Sequence, residues 1–153
     1  MSVISTVKNW KNSQDSLLID NKVVKLCPYG HNMDMESLIK KLLWIGSAKK
    51  DLMAMPSDVK DTFGYALHQA QIGKKHAQAK PLKGFGSAGV IEIVEDSGSG
   101  TFRAVYTVKF GDAVYVLHCF QKKSTHGIAT PKPDMDVIRE RLKVAELHFK
   151  GER

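Results

Sequence analysis

Residues 89–130 read GVIEIVEDSGSGTFRAVYTVKFGDAVYVLHCFQKKSTHGIAT. Three runs of β-branched and aromatic residues are separated by Ser97-Gly98-Ser99-Gly100 and by Gly111-Asp112. Such runs, bounded by Gly, Ser and Asp, predict an antiparallel meander of three strands. The side-chain period of two sharpens this. A turn at Gly111-Asp112 pairs Tyr106 with Leu117 and Arg103 with Phe120. The same parity carried across the first hairpin sets Glu92 opposite Arg103. One face then carries Ile91, Ile93, Phe102, Ala104, Tyr106, Val108, Tyr115, Leu117 and Cys119, a core face. The other carries Glu92, Arg103, Thr107, His118, Phe120 and Lys122. That mixture is too polar and too mixed in charge to be expected under a helix, so it is read as an open working face.

On the C-terminal side, Gln121-Lys122-Lys123-Ser124-Thr125-His126-Gly127 is a basic turn, and Pro131-Lys132-Pro133-Asp134 opens a last helix. Met135, Ile138, Leu142, Ala145 and Phe149 form its inward stripe, with Arg139, Glu140, Arg141 and Lys143 expected outside. On the N-terminal side, residues 74–83 form a basic connection, read either as a solvated loop or as a phosphate-contacting rim beside the sheet. Gly84-Phe85-Gly86 has no strand before it and no helix after it, so it is no dinucleotide fingerprint. Pro56-Ser57-Asp58 opens a helix with Val59, Phe63, Ala66, Leu67 and Ala70 on one stripe and a stop at Gly73. Glu36 to Lys50 reads as a preceding helix, with Leu38, Ile39, Leu42, Leu43 and Ile45 as its stripe and a break at Gly46-Ser47. The order is α-α-β-β-β-α, an α+β fold: an N-terminal helical hairpin and a C-terminal helix packed on one face of a small antiparallel sheet.

This domain is expected over residues 35–153, after an N-terminal extension over residues 1–34 where no function is placed. Within the extension, Leu17 to Leu26 reads as a small hairpin turning at Asp20-Asn21, and Met33 and Met35 allow an alternative start. Cys27-Pro28-Tyr29-Gly30-His31 offers two ligands without a second pair, so no metal site is expected. Cys27 and Cys119 are the two cysteines of 153 residues, too few for a disulfide framework, and a reducing cytoplasm is expected. No run approaches a membrane span, and residues 1–34 show no charged region followed by an apolar stretch and cleavage site, so secretion is not expected. The net charge of +7 suits a polyanion, through counterion release at phosphates, or an acidic protein partner.

Several blocks carry a resemblance. Trp44-Ile45-Gly46-Ser47, Lys50-Asp51-Leu52, Met55-Pro56 and Phe63-Gly64-Tyr65-Ala66-Leu67 are followed in order by Lys80-Pro81-Leu82-Lys83-Gly84 and Arg103-Ala104-Val105-Tyr106. His118-Cys119-Phe120-Gln121-Lys122-Lys123 and Thr130-Pro131 complete the series. From about Leu42 to Phe149 the chain resembles the phage-derived HigB-like branch of the RelE/ParE toxin superfamily. The resemblance implies a RelE-like fold and the toxin of a type II toxin–antitoxin system. Such toxins typically cleave mRNA, often on the ribosome, without a cofactor, and are silenced by a cognate antitoxin, here expected to be a helix-turn-helix protein. ParE-type relatives instead inhibit DNA gyrase, and a non-cleaving basic RNA-binding protein is a third reading.

Cleavage by a 2′-OH needs a proton acceptor, cations at the phosphate and a proton for the leaving oxygen. The catalytic candidates are Arg103, Lys122, Lys123, Glu92 and His118, and the RNA-binding candidates are Lys80, Lys83, Lys109 and Lys132. Arg103 falls at a commonly basic strand position of the family. Glu92 is the one carboxylate of the polar face and His118 its one group titrating near neutrality. Each has a structural alternative: a cross-strand Glu92–Arg103 salt bridge, a satisfied sheet histidine, and a solvated strand end at Lys122-Lys123.

Overall fold

A computed structural model describes residues 16–19, 22–25, 33–34, 39–123 and 129–151. The elements in order are β1 (Ser16–Ile19), β2 (Lys22–Lys25), β3 (Met33–Asp34), β4 (Lys41–Trp44), α1 (Ala48–Met53) and α2 (Ser57–Gln71). Then follow β5 (Lys80–Pro81), β6 (Val90–Ser97), β7 (Gly100–Thr107), β8 (Ala113–Lys122) and α3 (Lys132–Gly151). β1, β2 and β3 form a small antiparallel sheet of their own, and β1 and β2 pair Ile19 with Lys22 across Asp20-Asn21, as the hairpin reading expects. Cys27 and His31, where no metal site is expected, lie outside the described residues.

The main sheet has five strands in the order β4-β8-β7-β6-β5. β6, β7 and β8 are the predicted meander. The sheet is mixed rather than antiparallel, because β4 joins β8 in parallel, Leu42 opposite Val114 and Trp44 opposite Val116. This corrects the helix expected over Glu36–Lys50 and with it the N-terminal helical hairpin. Leu42 and Trp44 pack into one core cluster, whereas Leu43 and Ile45 pack into the other. A strand covered on both faces is a continuous apolar run, which a helical template also accepts. Gly46, at φ +57°, then turns the chain into α1, and a Cβ there would meet Arg141 Nε at 3.0 Å. Helix α2 begins and ends close to the predicted limits and buries Val59, Phe63, Ala66, Leu67 and Ala70.

Helices cover both faces of the sheet, not one. On the first face α1 and α2 pack Leu52, Val59, Phe63 and Leu67 against Ile93, Phe102, Ala104, Tyr106, Val114, Val116 and Cys119. On the second face α3 sets Ile138 and Ala145 against Val90, Val105, Tyr115, Leu117 and Phe120. The expected open working face is therefore largely roofed by α3, since Val105, Tyr115 and Leu117 are apolar enough to hold a helix.

The register explains the rest. Arg103 pairs Phe120 as predicted, but Tyr106 pairs Val116 rather than Leu117. Leu117 is an extra residue, so Leu117 and His118 both stand against Val105 in a β-bulge. The bulge reverses the parity of β8, moving Tyr115 and Leu117 to the α3 face and Val114 and Val116 to the α1–α2 face. Across the first hairpin the turn is two residues, Ser97 pairing Gly100, so Glu92 faces Val105 and Arg103 faces Val94. A slip of two preserves parity, and Glu92 and Arg103 remain on one face as diagonal neighbours.

Candidate functional site

β4 stops opposite Val116, whereas β8 continues to Lys122. The overhanging half of β8 is flanked by α1 on one side and by the start of α3 on the other. A cleft of about 760 Å³ lies there, lined by Asp51, Met55, His118, Phe120, Lys123 and Asp134 among others. That volume is within the range of roughly 300–1,000 Å³ typical of ligand sites.

His118 is the best-anchored polar group of the cleft. Its Nε2 lies 3.0 Å from Asp134 Oδ1, and Arg141 Nη1 lies 3.3 Å from its Nδ1. A guanidinium only donates, so Nδ1 accepts and the ring proton sits on Nε2, donated to Asp134. The ring also stacks on Phe120, with centroids 4.7 Å apart and planes at 20°. Burial pushes the His118 pKa below its ordinary value, and the Arg141 charge lowers it further against the opposing pull of Asp134. His118 is thus a neutral N–H donor rather than a free base.

Arg141 ties the site together. It was expected to face outward, but Nη1 also donates to the carbonyl of Leu117 at 2.9 Å and Nη2 donates to Ser47 Oγ at 2.8 Å. Ser47 Oγ donates in turn to Asp51 Oδ2 at 2.6 Å. One side chain on α3 thereby holds the bulge carbonyl, the imidazole and the start of α1. The inward stripe at Ile138, Leu142 and Ala145 leaves position 141 beside it on the helix surface; the missed signal was an arginine bordering the stripe, where its stem can pack and its head reach a carbonyl.

A second polar cluster lies under the start of α3. Arg103, 3% exposed, donates from Nη1 to Glu92 Oε2 at 2.9 Å and to Thr130 Oγ1 at 2.8 Å. The cross-strand salt bridge is therefore present, and it joins the sheet to the residue that precedes α3. Lys123 is exposed and lines the cleft, and Lys122 is half-buried on the Arg103 face opposite Thr101. Cys119 is buried, and desolvation pushes its thiol up to about 12, so it is no nucleophile. No group of three or more His, Cys, Asp or Glu that could hold a metal occurs among the described residues.

The four expected RNA-binding lysines are exposed but do not form one patch. Lys80 belongs to the edge strand β5, opposite Glu92, and Lys83 follows it. Lys109 lies in the β7–β8 turn, near the C-terminal end of α3, where Phe149 meets Phe110. Lys132 begins α3 at the cleft. The 20 residues of α3 span about 30 Å, which separates Lys109 from Lys132.

The described residues form a basic α+β domain with helices on both sheet faces and a cleft at a strand overhang. The chain belongs to the family described as Phage derived protein Gp49-like (DUF891), whose model matches residues 50–143, more than half of the chain. This is a phage-derived, toxin-like family. The match contains the end of α1 from Lys50, all of α2 and of the meander, and α3 through Lys143. No curated protein matches the chain. No helix among the described residues is long and apolar enough to cross a membrane.

Proposed function

We propose that this protein is the toxin of a type II toxin–antitoxin pair, of RelE-like fold and close to the HigB-like branch. In this reading it arrests growth as a cytoplasmic, ribosome-dependent mRNA endoribonuclease. The observation that carries the proposal is the cleft of a toxin-like family member, where a carboxylate, an oriented imidazole and a lysine meet at one strand end. The O2′–P bond forms as the P–O5′ bond breaks. Lys123, with Lys122 beside it, stabilises the charge on the phosphate and gives a proton from its ammonium to the leaving O5′. The Nε2–H of His118 stays on Asp134 Oδ1 and orients that carboxylate. Asp134, already within 3.0 Å of that nitrogen, is the nearest acceptor for the 2′-OH proton. Arg103 and Glu92 act from below as positioning residues, fixing Thr130 and the start of α3. Lys80, Lys83 and Lys132 contribute to phosphate binding along the message. Most of the rate comes from positioning, with the ribosome orienting the strand.

The partner in this reading is a helix-turn-helix antitoxin. The test is tightly controlled expression with protein synthesis and transcript 5′ ends followed together. Arrested translation with new ends that require ribosomes is the expected result. Intact messages with unimpaired translation overturn the proposal, and loss of DNA supercoiling in their place identifies the gyrase-directed reading.

A further inference from the structure

We infer that the cleft at the β8 overhang is a nucleobase pocket that selects guanine, a choice of ligand that rests on the RNA-directed reading above. The polar lining is rich in acceptors. Asp134 Oδ1 is engaged by His118 and Asp51 Oδ2 by Ser47, while among the described residues the second oxygen of each has no hydrogen-bond partner. The Gln121 amide nitrogen is committed to the carbonyl of Ser99 at 2.7 Å. Lys123 is the one cation on the lining, against two carboxylates. Beside the free oxygen of such a carboxylate a neutral, donor-rich group is favoured over a second anion. The remaining lining, including Met55, Phe120, Pro131 and Pro133, is apolar, which suits a flat ring taken out of water.

Among the four RNA bases, guanine alone presents two adjacent N–H donors, at N1 and N2, on its pairing edge. Adenine and cytosine place one amino group beside an acceptor, and uracil one N–H between two carbonyls. A carboxylate has about four lone-pair sites, so with one hydrogen bond already accepted it still meets the guanine edge with two parallel hydrogen bonds, and it meets the other three with an acceptor against an acceptor. The ammonium of Lys123 at the same lining is left for the phosphate of that nucleotide. The pocket thus separates base recognition, by Asp51, from the chemistry at Asp134 and Lys123. An arginine side chain from a protein partner is also flat and rich in donors, and is the competing occupant.

The experiment titrates the full-length protein with guanosine, inosine and uridine, and reads the Met55 methyl and His118 ring signals by NMR. Guanosine is expected to shift both, inosine to bind about tenfold more weakly for want of the N2 amine, and uridine to leave both unmoved. Asp51→Asn is expected to weaken guanosine binding about tenfold. Because Asp51 also holds Ser47, Ala54→Trp serves as a second variant that fills the cleft from an exposed position and abolishes the shifts. Equal responses to all three nucleosides, or none, overturn the inference. A response to arginine amide without one to guanosine overturns it in favour of a protein ligand. Nucleosides carry no scissile phosphate, so the two readings fail separately. Guanosine binding with intact messages removes the nuclease and keeps the pocket, whereas cleaved messages without guanosine binding remove the pocket alone.

Discussion

The two faces of the main sheet are built from the same strands but do different work. The α1–α2 face is apolar from end to end, with Val59, Phe63, Ala66, Ile93, Ala104, Val114 and Val116 at 0% exposure. The α3 face is apolar only toward the β7–β8 turn. Beyond the bulge it carries Arg103, Glu92 and His118, bonded to Thr130, Asp134 and Arg141. A uniform apolar face supplies the stability that lets the other face keep buried polar groups, whose net contribution to folding is small. Stability and chemistry are thereby divided between two sides of one sheet.

Truncating the apolar face has the largest expected effect. Phe63→Ala should destabilise by about 3–5 kcal/mol, measured by urea denaturation, because a fully buried ring is lost from a packed layer. A loss under 1 kcal/mol would mean that this face is not the stability reservoir. On the other face, Glu92→Ala leaves the Arg103 guanidinium buried without its carboxylate and should destabilise by about 2–4 kcal/mol. The double variant Glu92→Leu with Arg103→Met should recover most of that loss, since removing both charges removes the penalty. A double variant as unstable as the single one would show that the pair itself holds the fold.

Arg141→Ala should destabilise by about 1–3 kcal/mol through the unsatisfied bulge carbonyl at Leu117 and the freed imidazole. It should also raise the His118 pKa, read by NMR titration, by removing a neighbouring positive charge. The sign of the pH dependence follows from a folded-state pKa below that of the unfolded chain. Stability from neutral His118 is complete above about pH 6.5 and is lost as pH falls through the lower folded value. His118→Gln should flatten that slope. The smallest effect on folding is expected at Lys123→Ala, within about 0.5 kcal/mol at an exposed position. In the proposed mechanism the same change reduces message cleavage on the order of a hundredfold. That contrast in one variant, set against Phe63→Ala, is the sharpest form of the division between the faces.

β6, β7, α2 and α3 were legible because each repeats a single hydrophobic period over eight or more residues, and β8 because its apolar run is bounded by turn residues although its phase breaks at Leu117. β4 was not, because Leu42, Leu43, Trp44 and Ile45 serve two cores at once and so show no period at all. The grouping of Glu92, Arg103, His118 and Lys122 on one face was also legible, since parity survives a slip of two residues in the first hairpin. The roof over that face was not, because the bulge exchanged Tyr115 and Leu117 for Val114 and Val116 and so made the face look more polar than it is. Asp134 and Arg141 escaped notice because their roles depend on where α3 lies across the sheet, a tertiary fact with no local signature.

The extra residue at Leu117 makes β8 a splice of two strands in opposite phase. The upstream piece is phased for the hydrophobic layers, the downstream piece for the cleft, and neither can be slid along the other. Removal of Leu117 alone would join the two pieces in one continuous register, since Val116 and His118 already stand opposite the adjacent residues Tyr106 and Val105. Every other side chain of β8 would keep its face, and what would be lost is the bulge carbonyl that Arg141 holds.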